Sequence, residues 1–192
     1  MTTPISQFTR KSVLRTLSLG LLSSLVLATP LFAAEKPSHH AAAHRDAPAS
    51  LVQQVREGTK QYINVNNATA AGYGPFLGCV TGTDHGAMGI HYVNGTLLGN
   101  LTLDPAQPQA LIYEPFNGKL TLVGVEFILD SASWLAANNN TPPVLDGQVF
   151  NFVGAPNRFN INSFFELHVW AWRDNPQGAF VDWNNDVTCT GE

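Results

Sequence analysis

Apolar residues recur first at helical and later at alternating spacing along this chain. Leu51, Val52, Val55, Thr59 and Tyr62 stand three or four apart behind Ser50, so the spacing predicts a helix with Ser50 as its N-cap. Residues 64–71 suit a second short helix, which Gly72-Tyr73-Gly74-Pro75 stops. Helices this short are unstable alone, so they are expected to lie across a sheet.

Strand patterns follow Cys79. Residues 88–93 form one, and Asn94-Gly95 offers a tight turn into a second over residues 96–101. After a loop marked by Asp104-Pro105 and Gln107-Pro108, residues 110–114 read as a strand. Asn117-Gly118 joins it to a long run over residues 119–129, the clearest hairpin in the chain. Residues 131–137 fit a helical turn capped by Asp130 or Ser131, ending at Asn138-Asn139-Asn140 and Pro142-Pro143. Asp146-Gly147 opens a strand over residues 148–153, the loop 154–160 leads to another at 164–172, and residues 179–183 return as a short closing strand. Two helices followed by hairpin-linked strands, with no crossover helices, predict an α+β fold: a curved antiparallel sheet, or a small β-barrel, with the N-terminal helices packed on it. Gly86, Gly89 and Gly124 mark bends or close backbone approach in that sheet.

The run at 164–172 is the most unusual. Alternation places Phe164, Glu166, His168, Trp170 and Trp172 on one side and Phe165, Leu167, Val169 and Ala171 on the other. Both sides are apolar enough to be buried, so a carboxylate and an imidazole two residues apart need partners inside the fold.

Composition sets the context. Residues 1–34 have the layout of a secretory signal peptide: Arg10, Lys11 and Arg15, an apolar run, then small residues ending at Ala33-Ala34. Residues 35–49 form an Ala, His and Pro-rich linker carrying His39, His40 and His44, and residues 50–192 are the expected single domain. Of the 10 basic residues three lie in the signal, leaving seven against 14 acidic ones. An acidic chain without clustered Lys and Arg is unsuited to nucleic acid or anionic membranes, and cleavage leaves no stable membrane insertion. A periplasmic or secreted location follows from the signal. Cys79 and Cys189 are the only two cysteines, and in an oxidising compartment they are expected to pair.

Each central strand carries an ionisable residue on an apolar side: His91, Glu114, Glu126, Glu166 and His168. Alternation groups Glu126 with Leu120, Leu122, Gly124 and Ile128. Few cations remain to balance these carboxylates, since only Arg56, Lys60, Lys119, Arg158 and Arg173 follow the linker. A divalent ion would balance them, and imidazole and carboxylate donors on neighbouring strands suit zinc, manganese, iron or copper. His91, His168 and Glu114 are therefore candidate ligands, with Glu126 and Glu166 as ligand, base or acid. His85 in the loop Gly82-Thr83-Asp84-His85-Gly86 is a rim candidate, with Asp84 placed to orient it. Trp170 and Trp172 are candidates for an aromatic wall against a small ligand. The bland alternative is a set of mutually satisfied structural pairs. No nucleophile elbow, Walker loop, His-Glu-x-x-His or Cys-x-x-Cys occurs in the sequence.

The segments His85-Gly86-Ala87-Met88-Gly89-Ile90-His91-Tyr92, Leu111-Ile112-Tyr113-Glu114-Pro115, Leu122-Val123-Gly124-Val125-Glu126 and His168-Val169-Trp170-Ala171-Trp172 through Asp182-Trp183-Asn184 resemble a group of small exported bacterial proteins of no established function. The resemblance covers most of the chain after the signal and implies no activity. A second resemblance is to the cupin class of metal-binding barrels, which carry a His-x-His pair followed by a Glu. Here the nearest match is Glu166-x-His168, late in the chain, so a cupin-like barrel is only an alternative fold. The expected function is that of an exported domain with an internal His/Glu site, either a metal-dependent enzyme on a small molecule or a non-enzymatic small-ligand-binding protein.

Overall fold

Ser50 opens the described part of the chain, residues 50–191 of a computed structural model. The signal-peptide and linker readings, residues 1–34 and 35–49, lie outside the described residues. Ser50 accepts from the Gln53 backbone while the Gln53 side chain accepts from Ser50 N at 2.9 Å, a reciprocal cap that starts α1 (Leu51–Thr59). Leu51, Val55 and Thr59 of α1 are buried, and removing each aliphatic side chain from water contributes about 1.5–3 kcal/mol. A 3-10 turn, Lys60–Ile63, leads to α2 (Val65–Ala70), which Asn64 caps. No described helix is long and apolar enough to cross a membrane.

The strands are β1 (Tyr73–Thr81), β2 (Ala87–Asn94), β3 (Ala110–Phe116) and β4 (Lys119–Asp130). Between β2 and β3 lies α3 (Gly95–Leu98), and after β4 come α4 (Ser131–Ala137), β5 (Val144–Leu145) and β6 (Gln148–Val149). The last strands are β7 (Asn151–Val153) and β8 (Phe164–Val169). The main sheet is antiparallel and runs β1-β2-β3-β4-β8-β7, while β5 and β6 pair separately. It is an open sheet with β1 and β7 at its edges. The α+β expectation holds in its open-sheet form, and neither the small barrel nor the cupin-like barrel describes it.

One face of the sheet carries the main core. Leu111, Tyr113, Leu122, Val125, Phe127, Leu129, Phe165, Leu167 and Val169 pack there against Leu51, Val55, Tyr62 and Ala68 of the helical layer. A smaller apolar group, Ala87, Ile112, Val123, Trp170 and Val187, covers part of the other face. The Cys79–Cys189 disulfide is formed, with a Cα separation of 5.6 Å, and fastens the C-terminal segment to β1.

Several local expectations change. Asn94-Gly95 is not a hairpin turn, because the Asn94 side chain accepts from Thr96 N and Leu97 N and caps α3. The segment 73–81, read as a stop and a lead-in, is edge strand β1. The closing strand expected at 179–183 is absent, and the chain returns through a single bridge, Asn184 to Ala87. The expected strand 148–153 divides into β6 and β7 at Phe150. Between Ile112↔Gly124 and Tyr113↔Leu122 the register shifts by one residue, with Val123 as the extra one. That bulge turns Leu122 to the helical side and leaves Gly124 and Glu126 on the other, so simple alternation mixed the two faces. Gly89 lies at a second irregularity with φ +99°, and a Cβ there would meet Tyr113 O at 2.8 Å, so only glycine fits.

Candidate functional site

The face away from the helices carries the chemistry. Backbone pairing sets Glu126 of β4 opposite His168 of β8, Ile128 opposite Glu166, Ala110 of β3 opposite Glu126, and Ile112 opposite both His91 of β2 and Gly124. Directly paired residues share a face, so His91, Glu126, Glu166 and His168 all project to the same side. They are buried, with His168 only 1% exposed.

His91 Nε2 stands 3.2 Å from Glu126 Oε2, and the rings of His91 and His168 meet edge to face with centroids 5.8 Å apart. One donor atom from each of His91, Glu126 and His168 lies within 4.8 Å of the others, and a second group, Glu166, His168 and Asp182, meets the same limit. His168 is common to both. Its Nδ1 is 3.6 Å from Asp182 Oδ1, too far for a formed hydrogen bond. Both ring nitrogens are buried without a hydrogen-bond partner among the described residues. Trp170 stacks on the ring at 6.2 Å and is itself held by an indole N–H donated to Val181 O at 2.6 Å.

The electrostatics follow from this crowding. Burial lowers the pKa of His91, with the help of His168 and against the opposing effects of the Glu126 charge and the Gly89 backbone. Burial pulls His168 down as well, but the Glu126 charge and Asp182 outweigh it and leave its pKa raised. The same imidazole holds the Asp182 carboxyl below its ordinary value. Glu166 is pushed up to about 10, first by burial and then by the neighbouring Glu126 and Asp182 carboxylates. The cluster thus sets one imidazole of lowered pKa and one of raised pKa beside an acid whose pKa is raised, in one low-dielectric space.

A narrow cleft reaches this cluster from outside. His91, Glu126 and Glu166 are its polar lining, the walls are apolar, and the free space counted to the open mouth is about 420 Å³. One wall comes from β1, where Phe76↔His91 is followed by Val80↔Gly89, so three residues of β1 oppose one of β2. Within that bulge Leu77 has φ +60°. The opposite wall is the loop after β7, with Phe159 and Ile161. Arg158 ties this loop to β1 by donating to Thr81 O at 3.3 Å.

The other expected site residues lie elsewhere. Glu114 is on the correct face but opposes Thr121, four residues along β3 from Ala110, or roughly 13 Å away at strand rise. There it pairs with Arg173 and accepts from Thr188 N at 3.0 Å. His85 is in an exposed loop and does not line the cleft. Strand β8 ends at Val169, after which Trp172 N and Arg173 N both donate to Val123 O. This bend carries Trp172 to the helical side, where it donates to Thr59 Oγ1 at 3.1 Å under Arg56. The expected aromatic wall is therefore not formed, and Trp170 backs His168 instead. Asp182 was missed because its segment read as a plain strand. The available signal was an acid flanked by Phe180, Val181 and Trp183, the same context that singled out Glu126.

No family model matches the chain, and neither a curated protein nor a solved structure matches it.

Proposed function

We propose that His91, Glu126 and His168 hold a divalent metal ion and that the protein is a metal-dependent enzyme acting on a small molecule admitted by the cleft. One observation carries this reading: the His168 ring is almost wholly buried, has no hydrogen bond at either nitrogen among the described residues, and faces a second imidazole and a carboxylate. Buried polar groups in folded proteins are ordinarily satisfied, and a cation coordinated by the ring would satisfy this one. Donors bound at 2.0–2.2 Å to one ion stand about 3 Å apart, the spacing His91 and Glu126 already have at 3.2 Å. Two imidazoles and one carboxylate suit zinc, manganese or iron, with copper the fourth candidate. Asp182 beside Nδ1 is placed as the outer carboxylate that orients a ligating imidazole. Glu166, at the cleft floor and outside the ligand set, is the candidate acid or base toward substrate.

The apolar cleft also supports a second reading, an exported binding protein for a small ligand with no metal. Elemental analysis of untagged protein separates the two. One metal per chain, lost in His168→Ala, supports the enzyme reading. Metal-free protein that takes up no zinc, manganese, iron or copper on titration overturns it. The disulfide accords with an oxidising, extracytoplasmic location.

A further inference from the structure

Apart from His91, Glu126 and Glu166, every described residue lining the cleft is apolar. No lysine or arginine is among the described residues that line it; Arg158 lies behind the Phe159 ring of the wall, 5.9 Å from its centroid, donates to Thr81 O and also covers the Trp183 ring. The mouth is apolar as well, with Phe76 40%, Leu77 53% and Ile161 39% exposed. A phosphate or carboxylate entering here would meet Glu126 and find no lysine or arginine in the described lining. A sugar would leave most of its hydroxyls against hydrocarbon, at a heavy desolvation cost.

We infer that the molecule admitted is uncharged and largely apolar, carrying one oxygen or nitrogen function that enters first and meets His91, Glu126 and Glu166 at the floor, while its hydrocarbon part lies against Phe76, Leu77, Phe159 and Ile161. This inference names the substrate class for the function proposed above and rests on that reading for its catalytic meaning, although the cleft chemistry is independent of the ion.

The test is displacement of the neutral fluorescent probe N-phenyl-1-naphthylamine from purified protein, both metal-free and zinc-loaded, by 1-hexanol, cyclohexanone, hexanoate and glucose. In metal-free protein, where no ion can recruit an anion, 1-hexanol and cyclohexanone should displace the probe. Hexanoate should be at least about tenfold weaker, since like charges brought together oppose binding, and glucose should have no effect. Leu77→Asn and Ile161→Asn, both at exposed positions, should each weaken probe and alcohol binding without loss of fold. Hexanoate or glucose competing as well as hexanol, or binding unaffected by both variants, overturns the inference. Zinc uptake without any neutral-ligand binding also overturns it and leaves the metal site standing. Neutral-ligand binding by protein that takes up none of zinc, manganese, iron or copper supports the cleft chemistry while removing the enzyme reading.

Discussion

His91 Nε2 reaches Glu126 Oε2 at 3.2 Å although their strands, β2 and β4, are separated by β3. Two strand spacings amount to roughly 9.5 Å, so the side chains must meet above the intervening strand. On that strand Ile112 stands opposite His91, and the position opposite Glu126 is small. Ala110 pairs with Glu126 and with Val93 and is fully buried. Ala110→Leu would place a branched side chain in this gap. Expected is a loss of metal affinity of about 10- to 100-fold, as when groups that orient ligands are removed, with the far-ultraviolet circular dichroism of the sheet retained. Zinc titration calorimetry checks it, and unchanged affinity would place the ion elsewhere.

Ligand and structural carboxylates should separate cleanly. Glu126→Gln and His168→Ala should each weaken zinc or manganese binding by at least about a hundredfold. Glu114→Gln should leave binding unaltered, because its carboxylate serves Arg173 and Thr188 N instead. Its penalty is in stability, about 1–3 kcal/mol by urea unfolding. The lower end is favoured because Arg173 is 38% exposed and its charge partly screened. Equal losses of metal in all three variants would contradict the ligand set.

Glu166 gives metal-free protein a pH dependence of definite sign. Its carboxyl titrates near 4.5 in the unfolded chain and about 10 in the fold, so between these values the folded state holds a proton that the unfolded state releases. Stability from this group is present below 4.5 and falls as pH rises through the window, with a slope of at most about 1.4 kcal/mol per unit. His91 acts oppositely. Its lowered pKa favours the fold above its ordinary value of 6.5 and destabilises it as pH falls below. Glu166→Gln, which mimics the neutral acid, should flatten the decline between pH 7 and 9. Denaturant midpoints across that range decide the matter, and an undiminished decline in the variant would assign it to another group.

The elements that alternation or capping controls were legible in the chain; those set by register were not. Ser50 and Gln53 at the start of α1, and Asn117-Gly118 between β3 and β4, carry their geometry in local chemistry, with Asn117 at φ +48° and Gly118 at φ +69°. His91, Glu126, Glu166 and His168 were identifiable because a charge within an apolar strand needs a partner. Which charges meet depends on strand order and on bulges, neither of which a period of two encodes. Glu114 therefore fell on the correct face at the wrong level. Trp172 left its face at a bend after Val169. Asp182 entered through a return segment with no regular structure.

The Cys79–Cys189 bond offers the last test, because it joins the β1 wall of the cleft to the C-terminal segment, whereas the proposed ligands stand on β2, β4 and β8. The bond spans a sequence separation of 110 residues, and closing so long a loop restricts the unfolded chain strongly. Its removal in a Cys79→Ser, Cys189→Ser variant should lower stability by about 2–5 kcal/mol. Cys79 lies between Phe76 and Val80, both of which line the cleft, so retention of neutral ligands should weaken with the wall. His91, Glu126 and His168 stand on β2, β4 and β8, held by their own pairing and by the helical layer. Zinc affinity under conditions where the variant remains folded should therefore stay within a few-fold of the parent value. Urea unfolding, probe binding and zinc calorimetry on the same preparation read the three effects. A collapse of zinc affinity in still-folded protein would show that the strand wall, and not the sheet interior, organises the ligands.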